Sequence, residues 1–164
     1  MRWALVFSAL AAVMVMAERR TFPASKHLEL PYALSGDELA DRGNPYQRAF
    51  AWIGRNTPKN AVFAMDAQYI TKPGEDAQSF RAIAERSVLP DFSKDGGVVT
   101  NKPELAADWL QGLVAQAGLG AKPDVQRLAV LRPLGVTWVV LEREAVTGFA
   151  CAYANETVKV CRLP

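Results

Sequence analysis

The chain has few of the residues from which an enzyme builds a catalytic centre. Its 164 residues include one histidine, His27, and two cysteines. His27 lies in a polar, proline-containing stretch, so neither a Ser-His-Asp nor a Cys-His arrangement can be built on the folded part of the chain. A Walker-type phosphate loop and a GxGxxG fingerprint are also missing. We therefore expect no catalytic residues, no cofactor and no metal site in this chain.

The chain also lacks a large excess of either positive or negative charge. Lys and Arg outnumber Asp and Glu by only 19 to 17, which gives a formal net charge of +2. A protein that binds nucleic acid through electrostatics has a clustered basic face. The composition therefore argues against a nucleic-acid partner.

The chain does have an uncharged apolar run near its N-terminus, at residues 3–17. A membrane-spanning helix needs about 20 such residues, so this run is short for one. A signal peptide needs a positive start, an apolar stretch and a small-residue cleavage site, which Arg2 and Val15-Met16-Ala17 supply. The run is therefore a transmembrane helix, the tail of one in a fragment, a signal peptide, or a core helix of a soluble protein.

The transmembrane and signal-peptide interpretations place the rest of the chain outside the cytoplasm. We assign residues 1–20 to a transmembrane helix or signal peptide, and 21–43, with Pro23 and Pro31, to a linker. Residues 44–164 are long enough to form one extracytoplasmic domain with its own core. The expected location is the inner membrane, with the lipid bilayer as a partner and the soluble domain on its periplasmic or extracellular side.

Both cysteines lie near the C-terminus, in what reads as a β-hairpin. Residues 149–154 and 158–163 are strand candidates, and 155–157 supply the turn. Directly opposed strand residues are close enough to touch, so an extracytoplasmic chain would join Cys151 to Cys161 in a disulfide. The alternative is a pair of reduced, apolar cysteines. The three-residue loop sets the expected register: Cys151 opposite Cys161, Tyr153 opposite Lys159, and Phe149 opposite Leu163.

Alternating helix and strand patterns predict an α/β domain. Its expected sheet is small and mixed, with a parallel core pair and the C-terminal antiparallel hairpin, and helices pack on it. Asn44-Pro45 begins a helix that Asn56-Thr57-Pro58 ends. The other predicted elements are a buried strand at 61–65, a helix at 77–86, a loop with one short strand at 87–97, helices opening at Pro103 and Asp124, and a buried strand at 136–141.

The helices that open at Pro103 and Asp124 have apolar residues at helical spacing, which we expect to face the core. Three tryptophans on apolar faces are expected to pack inward too. In the helix that opens at Pro103 these residues are Leu105, Ala106, Trp109, Leu110, Leu113, Val114 and Ala117, and Gly118 caps its end. In the helix that opens at Asp124 they are Val125, Leu128, Ala129 and Leu131. The three tryptophans are Trp52, Trp109 and Trp138.

A ligand site is predicted where the parallel strands end. Open α/β sheets bind ligands at the carboxyl ends of parallel strands, and Asp66 and Glu142 follow the two best strands. The polar residues between them could bind a phosphate, sugar hydroxyls or a partner loop; alternatively they form solvated surface ion pairs. The candidate ligand-binding residues are Asp66, Arg81, Glu85, Arg86, Asp91, Lys94 and Asp95.

Several short motifs resemble the extracytoplasmic domains of GT-C-type membrane glycosyltransferases, among them the oligosaccharyltransferase catalytic subunit. The motifs are Trp52-Ile53, Asn56-Thr57-Pro58 and Ala61-Val62-Phe63, followed later by Leu134-Gly135-Val136 before Trp138 to Leu141. Where that subunit carries Trp-Trp-Asp-Tyr-Gly, this chain has Met65-Asp66-Ala67-Gln68-Tyr69. The resemblance therefore does not carry acceptor recognition over to this chain.

The resemblance implies a C-terminal extracytoplasmic accessory domain of a GT-C-like protein. In that family the catalytic carboxylates lie in loops between earlier transmembrane helices, so this domain would have no catalytic centre of its own. Its partners would be the bilayer and the transmembrane portion of the same or a split protein. The alternative is a secreted or periplasmic ligand-binding module with a cleaved signal peptide.

Overall fold

The computed structural model describes residues 6–14, 43–69 and 79–164. The chain divides into two units, Met1–Leu30 and Pro31–Pro164. In the first unit, residues 6–14 are helical and their side chains are exposed. No helix among the described residues is long and apolar enough to cross a membrane. The predicted N-terminal hydrophobic helix is therefore not confirmed, and the remainder of 1–20 and nearly all of the predicted linker lie outside the described residues.

The second unit is a mixed α/β domain with a five-stranded sheet in the order β2-β1-β3-β5-β4. Strand β1 is parallel to both β2 and β3, whereas β3, β5 and β4 are joined by antiparallel pairings. The predicted parallel core pair and antiparallel hairpin are thus confirmed. The elements are α1 (Pro45–Asn56), β1 (Val62–Ala64), α2 (Ser79–Ala84), β2 (Ser87–Val88), α3 (Lys94–Asn101), α4 (Ala106–Gln116), α5 (Asp124–Leu131), β3 (Trp138–Glu142), β4 (Ala150–Ala154) and β5 (Val158–Arg162), with 3-10 turns at Pro103–Leu105 and Arg132–Leu134.

Helix α1 begins and ends where its capping residues predict. The Asn44 side chain accepts a hydrogen bond from the Gln47 N–H, and the Gln47 side chain accepts one from the Asn44 N–H, which completes a capping box. At the other end, the Thr57 hydroxyl donates to the Ile53 carbonyl. These bonds satisfy backbone groups that a helix terminus otherwise leaves unpaired.

The sheet has an apolar cluster on each face. Along β3, Trp138 and Val140 join one cluster, while Val139 joins the other, as the two-residue period of a strand requires. The first cluster packs α1 and α2 on the sheet through rings such as Phe50 and Phe80, whose centroids lie 4.9 Å apart. The second cluster packs α4 and α5 on the opposite face. Burial on both faces explains why β3 reads as a continuous apolar run.

Two helix predictions need correction. Residues 94–97, predicted as loop, belong to α3, because the Asp91 side chain accepts from the Lys94 N–H and so supplies the first turn with a partner. Gly96 is helical rather than part of a turn, and a Cβ there would lie 3.2 Å from the Trp109 ring. The missing side chain therefore lets α3 approach α4. The helix predicted at 77–86 is shorter, Ser79–Ala84, and residues 77–78 lie outside the described part.

The apolar stripe predicted to bury α4 points mostly outward. Leu110 and Val114 are 56% and 63% exposed. The buried face instead carries Gly112, Ala115 and Gln116. At Gly112 the helix lies so close to Pro90 that an added Cβ would be 2.7 Å from Pro90 Cδ. In α5, Leu131 is buried as expected, but Val125 is 79% exposed. Of the other predicted stripe residues, Leu105, Ala117 and Ala129 are exposed as well.

The hairpin matches its prediction at the cysteines and departs from it at the turn. Cys151 lies opposite Cys161, and the two form a disulfide. A bulge between Cys151 and Tyr153 then places Tyr153 opposite Val160 instead of Lys159. Asn155 closes the turn, since its side-chain oxygen accepts from the backbone N–H groups of residues 157 and 158. The bulge adds one residue to β4, so the register beyond it shifts by one.

Candidate functional site

The carboxyl ends of β1 and β3 lie side by side, and the connections that leave these two strands run to opposite sides of the sheet. The chain leaving β1 next joins the sheet at β2, on one side, whereas β3 is followed by β4, beyond β5 on the other. Connections that diverge from adjacent parallel strands leave a crevice between them, the usual ligand position in open α/β sheets. The predicted residues Asp66 and Glu142 lie at this position.

A groove of about 250 Å³ occupies this crevice. We call it the carboxylate groove, because two acidic side chains line it and, among the described residues, no basic side chain does. Ligands with hydroxyl or ammonium donors complement such a lining. The lining residues are Tyr46, Met65, Asp66, Gln116, Gly118, Leu119, Gly120, Ala121, Val140, Leu141, Glu142 and Val158.

The part of the chain that the structure describes brings no three His, Cys, Asp or Glu side chains together as a metal site would require. Gly120 faces Glu142 across the groove wall, and a Cβ at this glycine would lie 3.4 Å from Glu142 Oε2. The loop at Gly120 thus packs against the Glu142 carboxylate.

Arg127 fixes the loop that forms one wall of the groove. Its guanidinium is fully buried and donates to the carbonyls of Leu119 (2.8 Å), Gly120 (3.0 Å) and Val146 (2.9 Å). Its fourth acceptor is Asp124 Oδ1 at 2.6 Å. One buried cation therefore joins the groove loop, α5 and the connection from β3 to β4.

Asp124 balances the charge of Arg127. Its carboxylate also accepts from the Thr147 hydroxyl (2.8 Å) and the Gly148 N–H (2.7 Å). Burial alone raises the pKa of Asp124, but hydrogen bonds from Gly148, Thr147 and Arg127 outweigh it and hold the pKa below its ordinary value. The Asp124 carboxyl group is therefore ionised at neutral pH.

Gln116 supports the groove from beneath. Its side chain is 1% exposed, its Oε1 accepts from the Met65 N–H at 3.1 Å, and its Nε2 donates to the carbonyls of Pro90 and Gly112. The end of β1 is thereby tied to α4. The amide satisfies a backbone donor that no neighbouring strand reaches.

The other predicted site residues lie away from the groove. Arg81 makes two hydrogen bonds to Asp95, of 3.0 and 2.7 Å, and Asp95 also accepts from the Asp91 N–H. The bond to Asp95 raises the pKa of Arg81. Burial acts to raise the pKa of Asp95, but the bonds from Arg81 and the Asp91 backbone lower it below its ordinary value. This ion pair links α2 to the start of α3.

The remaining members of the predicted set separate from one another. Arg86 is buried and its guanidinium donates to the carbonyls of Gly54, Thr57, Ala84 and Glu85, so it closes the end of α1. Glu85 pairs with Lys59 at 3.1 Å on the surface. The Lys94 side chain is exposed. Arg86 is therefore a buried structural residue and not part of a solvated ion pair with Glu85. Glu85 and Lys94 lie on the surface, as the alternative expected, although Glu85 pairs with Lys59 and Asp95 pairs with Arg81.

Asp66, Arg81 and Asp91 do line one common cavity, but it is too small for a ligand. Its volume is about 10 Å³, and a single water needs roughly 10–15 Å³. Asp66 is thus the one residue of the predicted set that lines the carboxylate groove.

Sequence reasoning missed Arg127 and Gln116, because each lies within a helix whose inward face was assigned from apolar residues alone. The Asp124-x-x-Arg127 spacing, which places both charges on one helix face, was the available signal. The sequence patterns also gave no indication of a further cavity beside α1, which Arg48, Trp52 and Arg55 line at helical spacing.

Comparison of the chain with protein-family models, with characterised proteins and with solved structures finds no match.

Proposed function

We propose that the chain is a membrane-attached extracytoplasmic accessory domain of a GT-C-like glycan-transferring membrane protein. It supplies no catalytic centre and uses the carboxylate groove to hold part of a glycan donor or acceptor. The second candidate is a secreted or periplasmic binding module with a cleaved signal peptide, which the candidate cleavage site Val15-Met16-Ala17 favours.

The Cys151–Cys161 disulfide is the observation that carries the extracytoplasmic assignment. Disulfides persist in oxidising compartments and are rare in the cytosol. The chain contains two cysteines, and both are used in this bond. Both candidate functions share this location and differ in whether the apolar run stays attached.

The carboxylate groove supports a glycan ligand on size and chemistry. Its volume of about 250 Å³ is below the range of roughly 300–1,000 Å³ that accommodates drug-sized ligands, so it suits a single small unit such as one saccharide residue. Asp66 and Glu142 supply hydrogen-bond acceptors for sugar hydroxyls. Tyr46 adds an aromatic side chain to the lining.

Fractionation of cells that express the gene from its natural locus tests the proposal. A C-terminal tag allows the chain to be followed, and mass spectrometry of the isolated protein gives its N-terminus. We expect the protein in the membrane fraction after a high-salt and carbonate wash, with the apolar run 3–17 retained. A C-terminal tag that external protease removes from spheroplasts would place the domain outside.

The same measurement separates the alternatives. A soluble periplasmic protein that begins at Glu18 supports the secreted binding module. An intact chain that is soluble in the cytosol contradicts both candidates.

A further inference from the structure

The outward side of helices α4 and α5 is almost free of charge. We call the exposed side chains from Leu105 to Ala129 the α4–α5 surface. Residues 105–129 all lie in the described part of the chain, and among the exposed ones only Asp108 is charged. In the whole chain 22% of the residues are charged, and a surface in contact with water normally carries charges of both signs. The α4–α5 surface therefore matches a less polar surrounding than water.

The other charged side chains of this segment are bound within the protein. Lys122 is half-buried, and its ammonium group donates to the Ala117 carbonyl at the end of α4. Asp124 pairs with the buried Arg127. These charges are thus met by partners in the same domain and do not make the α4–α5 surface polar.

Large apolar side chains project from this surface. Leu110 and Val114, one helical turn apart on α4, and Val125 on α5 are each more than half exposed. The exposed Val146 lies near α5, because its carbonyl accepts a hydrogen bond from Arg127. In the described part of the second unit, all exposed large apolar side chains lie between residues 92 and 146, and α1, α2 and the hairpin have none. Such a concentration marks an interaction surface.

The α4–α5 surface is too small to hold a second copy of the chain by itself. The two helices have 11 and 8 residues, so they are about 16 and 12 Å long, and with a width of about 10 Å each they cover roughly 300 Å². A stable interface between proteins buries about 800 Å² on each partner. A partner that needs less area is therefore required.

A lipid bilayer fits this requirement. In the proposed function the apolar run 3–17 attaches the chain to the membrane, and a tethered surface needs little affinity of its own because the tether keeps its local concentration high. The described part of that run also exposes apolar side chains, among them Phe7 and Leu10. One surrounding, the bilayer, would therefore cover both apolar parts of the molecule.

We infer that the α4–α5 surface contacts the lipid bilayer, with Leu110, Val114 and Val125 inserted at the boundary between headgroups and acyl chains. An apolar helix face enters this region to a depth of about 5–10 Å, whereas charged side chains would make insertion costly. The loop between α4 and α5 lines the carboxylate groove, so this contact holds the groove close to the headgroups. The inference rests on the proposed membrane attachment and adds a second contact, made by the folded domain.

Quenching of added tryptophans by brominated lipids tests the inference. The oxidised full chain is reconstituted into phosphatidylcholine vesicles whose acyl chains are either ordinary or brominated, and the signal of the parent chain is subtracted. Leu110→Trp and Val125→Trp each place an indole on the α4–α5 surface. The control is Lys59→Trp, at an exposed position in the turn after α1. We expect brominated lipid to quench the two surface tryptophans at least about fivefold more than the control.

A polar substitution on the same surface checks that the contact is apolar. Leu110→Asp, combined with Val125→Trp, should reduce the quenching at least about threefold, because a carboxylate is costly at the acyl-chain boundary. Leu110 is exposed, so the substitution should leave the fold intact, which unfolding midpoints check. Flotation of the vesicles after a carbonate wash measures separately whether the full chain is attached.

The combined results separate the inference from the proposed function. If the chain floats with the vesicles but the surface tryptophans are quenched no more than the control, the inference is overturned while membrane attachment stands. A chain that does not float overturns both. Surface tryptophans that iodide cannot reach and brominated lipid does not quench would show that a protein, such as a second copy, covers the surface, contrary to the inference.

Discussion

At the scale of single residues, two buried arginines hold several segments of this domain together. Arg127 and Arg86 are both buried, and their guanidinium groups bond mainly to backbone carbonyls at helix ends and loops. Arginine suits this task because its five donors have a fixed planar arrangement. Sequence patterns do not distinguish such arginines from those on the surface.

Replacing Arg127 with methionine is expected to destabilise the domain by about 3–5 kcal/mol, because the change leaves Asp124 and several carbonyls without their buried donor. Urea unfolding of the oxidised full chain measures the effect. The matched control is Arg143→Met, at an exposed position, which should change the free energy of unfolding by less than about 0.5 kcal/mol. Similar losses in the two variants would contradict the role of Arg127.

The depressed pKa values of Asp124 and Asp95 predict a loss of stability in acid. A carboxyl group with a lower pKa in the folded state stabilises the fold above the unfolded pKa of about 3.9, and this contribution is lost as pH falls through the folded pKa. The free energy of unfolding should therefore decrease below about pH 4. In Asp124→Asn, the free energy of unfolding should decrease less between pH 5 and pH 3 than it does in the parent chain. An unchanged pH dependence would show that Asp124 does not contribute to the loss of stability in acid.

At the scale of elements, features set by neighbouring residues could be predicted from the sequence, whereas features set by long-range contacts could not. The capping sequence predicted both ends of α1, and cysteine spacing with a short turn predicted the Cys151–Cys161 pairing. The predicted inward face of α4 was wrong, because the helix packs instead through Gly112, which lies close to Pro90, a residue distant from the helix in sequence. The position of α3 was missed because Gly96 and Gly97 are typical of a turn, whereas the bond from the Lys94 N–H to the Asp91 side chain starts a helix there.

Two glycines provide a direct test of how closely α4 packs. In Gly112→Ala the new Cβ would lie 2.7 Å from Pro90 Cδ, so we expect a loss of about 1–3 kcal/mol from overpacking. The control is Gly97→Ala in α3, where no atom lies within 4 Å of the added carbon. That change should stabilise the domain by up to about 1 kcal/mol, the difference in helix propensity. A stabilised Gly112→Ala variant would show that α4 packs differently.

At the scale of the whole molecule, the topology of the sheet decides which distant residues meet. Asp66 and Glu142 were expected at adjacent strand ends, and both line the carboxylate groove, because the carboxyl ends of parallel strands lie at one edge of a sheet. The polar residues between them scatter instead among a helix end, an ion pair and the surface. Their positions depend on packing contacts that the linear sequence does not encode in a recognisable pattern.

The carboxylate groove is expected to lose affinity for a neutral saccharide when its acceptors are weakened. Asp66→Asn and Glu142→Gln should each reduce binding of N-acetylglucosamine about fivefold, since an amide oxygen accepts a hydrogen bond that is weaker by roughly 1 kcal/mol than one to a carboxylate. NMR titration of the full chain measures the affinity. Glu144→Gln, an exposed acid outside the groove, is the control and should bind as the parent chain does. Equal effects in all three variants would exclude the groove as the site.

The extracytoplasmic location is the central claim, and thiol trapping in intact cells tests it most directly. Cells that express the gene from its natural locus are quenched in acid, and free thiols are alkylated before reduction and mass spectrometry. We expect Cys151 and Cys161 to escape the first alkylation and to react only after reduction, because they form a disulfide that an oxidising compartment, as proposed, would preserve. Complete alkylation of both cysteines before reduction would contradict the account.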